Sequence, residues 1–522
     1  MDTHLATTAA EAESAIRKGA RDPELYCIMA WHAGQQGDLA AAQNLFQSAL
    51  KLAPRHADAL FGMGALCRQH GQLRDALLYC DAAIEANPGF ADAWLEKAFT
   101  FAAGGSMESA KNCYLRTVAL DESCAAAFAG LASIAARDGD SEEGRNQAQR
   151  ALALDPGNVI ATCALATMDI ESKHHEAARA ILEPLIDGMD QPSTDRATAL
   201  GLLGDALNRL DLVDPAYAAY AASQSDFDSI YGARFLGRET QRTMMDRITA
   251  QIPAIRSSAW DSDCAAVPIA NAASNHIFLL GYPRSGTTLV ENVLASIHDV
   301  FALEERPTMA AADRAFLAEA DGLLRFGELD ADALRPFREA YWQKVEDAGI
   351  AVAGKSFVDM DPLKGIRLPL IARLFPDARI LIMRRDPRDI VWSCFHTNFA
   401  LSSAALEFTT LEQTARHYDA LMRLTQAALD HLPLKTHEVR YDALVSDFDS
   451  TSKAFCDFAQ LEWSPALRNF DRTAKQRGVS TASAGQVRKG LYDGTRQWER
   501  YRRYLEPVIP ILQPWIVRFG FD

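Results

Sequence analysis

The sequence predicts an α + α/β chain, an N-terminal all-α repeat solenoid followed by a three-layer α/β domain with a mainly parallel sheet. Three observations predict it. Gly37, Gly71, Gly105 and Gly139 recur every 34 residues between helix-length segments. From about residue 275 onward, strand-like runs alternate with helical patterns, as in a parallel sheet covered on both faces. At the head of that second half, IFLLGYPRSGTTLVENVLAS (277–296) reads as strand, glycine-bearing loop and helix, a P-loop-like unit.

The first half takes its order from the repeat. Each of the four glycines sits in a turn-like context, and Pro54 and Pro88 keep the same interval, with Pro156 two periods further on and Glu122 where a proline is missing. Between these marks lie pairs of apolar-periodic segments such as ADALFGMGALCRQ and LRDALLYCDAAIEA, with Ala76 and Ala110 where helices must approach closely. The pattern resembles the tetratricopeptide repeat, and Trp94, Ala98, Gly105 and Ala110 fit one copy of its consensus. It is best over 23–156; a fifth copy (157–192, with Lys173 at the glycine place) and a sixth (194–225) are degenerate, so 1–235 is assigned to about five to six repeats. The resemblance implies a concave surface for a peptide or protein; a scaffold or dimerising role is the alternative. Residues 226–253 read as helical and as a cap on the array, and 236–274 as helix and linker.

Composition excludes some classes. A formal charge of −16 over 522 residues argues against a nucleic-acid binder, which carries a basic face. Nine cysteines without paired spacing read as buried thiols in a reducing compartment. The N-terminus has no basic segment leading into an apolar core, and no run approaches a membrane span; the expectation is a soluble, cytoplasmic protein. Oligomeric state is not readable.

In the α/β domain, 275–522, Gly281 and Gly286 followed by Thr287-Thr288 have phosphate-loop spacing, but Thr287 stands where a nucleotide triphosphatase has lysine. Backbone N–H groups and a helix N-terminus can cradle an anion there. The cation is Arg284, inside the loop, which points to a short anion with a second charged group rather than a metal-bound triphosphate. Strands are expected at Ile277–Leu280, Ala351–Ala353, Arg379–Met383 and Glu438–Tyr441.

Three more constellations carry chemistry. Glu304-Glu305 follow the loop helix; adjacent glutamates can also be plain solvated surface. Lys355, in Gly354-Lys355-Ser356, follows the expected strand Ala351–Ala353, where loops at the carboxyl end of a sheet hold sites. In ARILIMRRDPRDIVWSCFH (378–396) a strand runs into Arg384-Arg385 and a helix carries Ser393, eight residues after Arg385. Arginine plus a hydroxyl suits a second phosphate; a charge cluster with internal ion pairs is the competing reading.

Together PRSGTT, RRDPRD with Ser393, VRYDALV (439–445) and QVRKGLYDGTRQWERY (486–501) resemble the sulfotransferases that use 3′-phosphoadenosine-5′-phosphosulfate, in particular the bacterial tetratricopeptide-repeat sulfotransferases and their tyrosylprotein relatives. The resemblance covers about residues 275–505. It implies that Pro283, Arg284, Ser285, Gly286, Thr287 and Thr288 hold the 5′-phosphosulfate. Arg385 and Ser393, helped by Arg488 and Lys489, would hold the 3′-phosphate, and Tyr441 would meet the adenine region. Glu305 matches the general base, though this chain reads EERP where the relatives read EETR, which leaves Glu304 as a substitute. Lys355 matches a lysine near the bridging oxygen and Ser483 a serine that assists it. Small-molecule enzymes carry their basic histidine two residues after the matching lysine, and that place is Phe357 here; His396 lies beyond Ser393 on its helix, so a carboxylate base is favoured.

The implied reaction is in-line sulfuryl transfer to an acceptor hydroxyl without a metal, releasing adenosine 3′,5′-bisphosphate. The acceptor is expected to be a peptide or protein tyrosine brought by the repeats; a glycan or small-molecule hydroxyl is the alternative, and a repeat scaffold with a relict nucleotide site the rival of another class. The segment 307–350, with Trp342, is expected to shape the acceptor pocket.

Overall fold

The computed structural model describes residues 2–255, 260, 269–477, 484–488 and 490–522. It divides into two compact units, Met1–Met189 and Asp190–Asp522.

In the first unit the helix Asp2–Arg17 precedes five antiparallel pairs, Pro23–Gln35 with Leu39–Leu52 through Val159–Glu171 with His175–Asp187. The 34-residue period is a backbone requirement. Gly37, Gly71, Gly105 and Gly139 have φ of 80°, 74°, 78° and 82°, the left-handed turn between the helices of a pair. Lys173, at the glycine place of the fifth pair, adopts the same conformation with φ 64°. Ala42, Ala76, Ala110 and Ala178 are fully or almost fully buried where the helices touch.

The sixth pair, Thr194–Arg209 and Val213–Tyr231, belongs to the second unit. Its polar side chains bond to the α/β domain: Gln224 Nε2 donates to Phe395 O at 2.8 Å, Ser223 Oγ to Asn398 Oδ1 at 3.0 Å, and Tyr501 Oη to Asn208 Oδ1 at 2.8 Å. Tyr217 stacks on Tyr504 at 3.7 Å. The helix Gln241–Gln251, read from sequence as part of a cap on the repeats, instead packs on helix Leu411–His431, with Arg423 paired to Asp246 at 2.8 Å and His417 to Gln241 at 2.7 Å. The degenerate repeat thus lost its consensus where its surface answers to a different neighbour.

The sheet contains β1 (Asn275–Leu280), β2 (Val300–Glu304), β3 (Ser356–Met360), β4 (Arg379–Arg384) and β5 (Lys435–Arg440), ordered β2-β3-β1-β4-β5 with every neighbour parallel. All carboxyl ends therefore share one edge, the edge at which doubly wound sheets hold their sites. The β1 and β4 side chains are buried almost throughout, as a centrally placed parallel strand requires.

One strand expectation fails, and one side chain lies elsewhere than expected. Ala351–Ala353 is not a strand; only Ala353 makes an isolated antiparallel bridge, to Ala273. The strand is Ser356–Met360, five residues later. Its Asp359 looks wrong for a buried strand, yet it is fully buried because Thr308 Oγ1 and Tyr341 Oη each donate to it at 2.8 Å and Lys364 Nζ pairs with it. The segment 307–350 is helical in large part, but Trp342 is buried against His276 and Phe357, with ring centroids at 4.8 and 5.7 Å, near the amino ends of the strands. Trp342 thus belongs to the core and not to the carboxyl edge of the sheet.

Candidate active site

The loop from β1 to helix Thr287–Leu294 is shaped by its glycines. Gly281 N donates to Pro362 O at 3.1 Å, and a Cβ there would lie 2.7 Å from Ser285 Oγ and 2.9 Å from Met383 Cβ. Gly286 caps the helix at φ 106°, and a Cβ there would come within 2.8 Å of the Tyr441 ring. Ser285 is fully buried and braces the loop from within: its Oγ accepts from Tyr282 N at 3.3 Å and its N donates to Tyr282 O at 3.0 Å. Thr287 and Thr288 form the first helical positions, where N–H groups have no intrahelical partner. Pro283 lends its carbonyl to Cys394 Sγ at 3.4 Å.

Arg284 sits in the left-handed region, φ 68°. Its Nε donates to Ser393 Oγ at 3.0 Å and its Nη2 to Gln486 Oε1 at 3.2 Å. Arg385 at the end of β4 sends Nη1 to Arg284 O at 2.7 Å and Nη2 to Gly494 O, and its guanidinium lies 4.7 Å above the Tyr441 ring. Tyr441 Oη donates to Tyr492 O at 2.6 Å and accepts from Gly494 N at 3.2 Å. The two phosphate groups of residues expected from sequence are therefore one continuous patch, with Arg284 touching Ser393 of the second group. Burial, then the like charge of Arg385, holds the Arg284 pKa below its usual value, so an anion between them would relieve both desolvation and repulsion. Arg284, Gly286, Thr288, Leu289, Arg385 and Tyr441 line an open cleft of about 420 Å³, the solvent at its mouth included, with Gln486, Val487, Gly490 and Tyr492 on its other wall. Arg488 is half-buried in the same short turn. Ser483 and Lys489 lie outside the described residues.

Residues that sequence reasoning missed complete this wall. Asp389 is buried and accepts from Arg496 N at 2.8 Å and Trp498 N at 3.0 Å, pinning the chain beyond Gly494. The second aspartate of RRDPRD was the available signal. Nothing local marks Gln486 or Tyr492 as cleft residues.

Glu305 follows β2 at the same carboxyl edge. Its N donates to Met360 O at 2.8 Å, extending the β2–β3 ladder by one rung before φ 45° turns the chain off the sheet. Its residue surface is exposed at the rim, but its carboxyl lies against protein and other acids. Desolvation first, then Asp361, Glu304 and Glu291, push its pKa up to about 7. Arg284 and Glu305 are both non-glycine residues with positive φ, the kind of backbone outlier that clusters at working sites.

Lys355 is a correction. It precedes β3, level with Ser274 at the amino edge, and its ammonium pairs with Asp299 Oδ1 at 2.6 Å. With β3 running five residues at ~3.3 Å each, it lies roughly 17 Å from the loop edge. Phe357 correspondingly sits inside β3, fully buried, so its identity says nothing about a base. Of the lysines described, Lys364 lies just beyond the carboxyl end of β3, but its ammonium is committed to Asp359 and to Thr308 Oγ1 at 3.3 Å. His396 is packed between Tyr220 and Trp392, with its pKa lowered to about 4 by burial first and then by Arg284.

Among known proteins, the sulfotransferase family model matches residues 276–465 and the tetratricopeptide repeat model 29–91 and 95–159. An uncharacterized protein of Aquifex aeolicus is 28% identical over 253 residues, 45% of this chain and 32% of its own length. Cellulose synthase operon protein C of Komagataeibacter xylinus is 37% identical over 75 residues, 14% of this chain and 6% of its own. The chain thus spans a third or less of these two relatives. Similar solved structures include the Cut9–Hcn1 hetero-tetramer (TM-score 0.37, 15% identity, 44% of this chain and 46% of that one) and the tetratricopeptide protein YrrB (0.29, 21%, 37% and 97%). The loop, sheet and cleft described above thus lie within a segment, 276–465, that matches the sulfotransferase family model, and the helix pairs before it match the tetratricopeptide repeat model.

Proposed function

We propose that the protein transfers the sulfuryl group of 3′-phosphoadenosine-5′-phosphosulfate to a hydroxyl, foremost a tyrosine of a peptide or protein recruited by the repeats. The observation that carries the donor assignment is the paired Arg284 and Arg385 at the mouth of a lysine-free phosphate loop. Arg385 Nε is a buried donor without a protein acceptor, and the glycine cradle would be filled by any Cβ. Such a site fits a molecule with two separated anionic groups. In this reading the backbone of 283–288 and Arg284 hold the 5′ end, Arg385 with Ser393 and Arg488 hold the 3′-phosphate, and Tyr441 backs the nucleoside. Bound there, the donor supplies a sulfuryl group with a phosphate leaving group.

Glu305 then takes the acceptor's proton. A carboxyl titrating near 7 is half-ionised at neutral pH and still basic, the compromise that general-base catalysis favours. Arg284 stabilises charge on the sulfuryl oxygens, a contribution of about 3 kcal/mol for a pre-placed donor. With Lys355 at the other edge, stabilisation of the bridging oxygen falls to Arg284 and the loop amides. The peptide acceptor is supported by the repeats, whose commonest use is peptide binding. The eight described cysteines are free thiols, which supports a cytoplasmic setting. Among the described residues no helix is long and apolar enough to cross a membrane.

Transfer of radiolabelled sulfate from the donor into a lysate tests the reading: label is expected in protein, on tyrosine. Label in polysaccharide or small molecules would replace the acceptor; no adenosine 3′,5′-bisphosphate binding by calorimetry would overturn the donor. Glu305→Gln should abolish transfer and leave bisphosphate binding intact.

A further inference from the structure

Three arginines of RRDPRD and VRYDALV take no part in the reaction as written. Arg384 and Arg440 are register partners on the last rung of the β4–β5 ladder. The residue after each, Arg385 and Tyr441, lines the cleft, and the two meet there, guanidinium to ring, at 4.7 Å. Successive residues of an extended chain point to opposite sides, and Arg384 and Arg440 accordingly turn from the cleft to the segment that ends helix Ile509–Phe519. Arg440 Nη1 donates to Phe519 O and its Nη2 to Gly520 O at 3.4 Å, while Arg388 Nη2 donates to Phe521 O. The Arg384 guanidinium lies 4.3 Å from the centroid of the Phe519 ring, and that of Arg440 4.2 Å from the centroid of Phe521. Gly520, at φ 65°, makes the turn that presents these successive carbonyls. The last carbonyls of a helix have no intrahelical partner, and its dipole favours cations there; the two rings add faces on which planar cations rest.

We propose that Phe519 and Phe521 are positioning residues for the donor site: clamped by Arg384, Arg388 and Arg440, their segment braces the carboxyl ends of β4 and β5 so that Arg385 presents its Nε to the 3′-phosphate. This rests on Arg385 holding that phosphate. Each clamping arginine is fixed from a second side by a carboxylate, Arg384 by Glu438 at 2.6 Å, Arg388 by Asp386 at 2.8 Å and Arg440 by Asp442 at 2.7 Å. The backbone that carries Arg385 is therefore held on both flanks, at Arg384 and at Arg388, and it runs straight into helix Pro387–His396 with Ser393. On the cleft side Arg385 is steadied separately, by the carbonyls of Arg284 and Gly494. Those two bonds fix its Nη atoms, while the 519–521 segment fixes the chain from which the side chain reaches.

The test is the ratio of affinities for adenosine 3′,5′-bisphosphate and adenosine 5′-monophosphate, measured by calorimetry on the full chain. The ratio isolates the 3′-phosphate, which a general loosening of the fold would not single out. Phe519→Ala combined with Phe521→Ala should weaken bisphosphate binding by about tenfold, the worth of one charge-assisted hydrogen bond, and leave monophosphate binding unchanged. Phe519→Tyr with Phe521→Tyr keeps both rings and should keep the wild-type ratio. Arg440→Leu, which releases the carbonyls of Phe519 and Gly520, should lower the ratio in the same way and gives a second reading should the double alanine variant fail to fold. A wild-type ratio in either folded variant overturns the proposal, as does an equal loss for both nucleotides. A wild-type protein that binds the two nucleotides alike, or a ratio unmoved by Arg385→Lys, overturns instead the assignment of Arg385 to the 3′-phosphate.

Discussion

Arg385 offers the sharpest test of the donor site, because its three kinds of donor do three different things. Nη1 and Nη2 are spent on Arg284 O and Gly494 O, which shape the loop and the far wall, while Nε is buried and unpaired. Arg385→Lys keeps the charge but loses the planar fork, and one flexible ammonium cannot serve two carbonyls and an anion together. A hydrogen bond to a charged group is worth about 1.5–3 kcal/mol net, so the loss of one is about a 10- to 150-fold weaker dissociation constant for adenosine 3′,5′-bisphosphate. Arg385→Ala should be weaker still. Isothermal titration calorimetry at fixed salt measures both. The wall needs its own control: Tyr441→Phe removes the bond to Tyr492 O and the acceptor for Gly494 N while keeping Arg385 and the ring beneath it. Binding within threefold of wild type for Arg385→Lys would refute the argument, and an equal loss in Tyr441→Phe would move the effect from the anion to the wall.

The other predictions are brief. Lys355→Ala, which breaks only an exposed pair at the far edge, should leave kcat and the melting temperature unchanged; a large fall in kcat would return the residue to the site. Gly286→Ala forces a side chain to φ 106° and against Tyr441, at a cost of about 1–3 kcal/mol, and should abolish bisphosphate binding in a protein that still shows wild-type helical content by circular dichroism. Lys364→Met leaves Asp359 buried beside two neutral donors and should cost about 3–5 kcal/mol in urea unfolding. Transfer itself should rise with pH through about 7 as Glu305 loses its proton. The stability linkage has the opposite sign: a carboxyl raised above its unfolded value favours the folded state most below about pH 4.5 and loses that contribution as pH climbs through 7.

What could be read along the chain was what repeats or stays local. The left-handed turns of the helix pairs demand glycine or a tolerant substitute every 34 residues, so the array shows itself wherever its period survives. The phosphate loop is equally self-contained, since its glycines, its arginine and its helix start fall within 281–288. The β3 strand was unreadable for the converse reason. Asp359 is tolerable only because of Thr308, Tyr341 and Lys364, two of them distant in sequence, and AVA upstream looked more like a strand than SFVDM did. A five-residue displacement of that strand carried Lys355 from one edge of the sheet to the other. The sixth repeat faded because its partners, Phe395, Asn398 and Tyr501, lie far along the chain.

From the sequence by itself came the two-part architecture, the left-handed turns, and the phosphate loop with arginine in place of lysine, each set by backbone conformations that a few adjacent residues dictate. The tertiary structure alone decided which side chains share an edge of the sheet. It joined Arg284, Ser393 and Arg385 into one patch, removed Lys355 from it, and set Glu305 among Glu304, Asp361 and a buried Glu291 held by Arg477. The basicity of Glu305 is a sum of desolvation and charge over residues up to 56 positions away, and that sum exists only once the chain has folded.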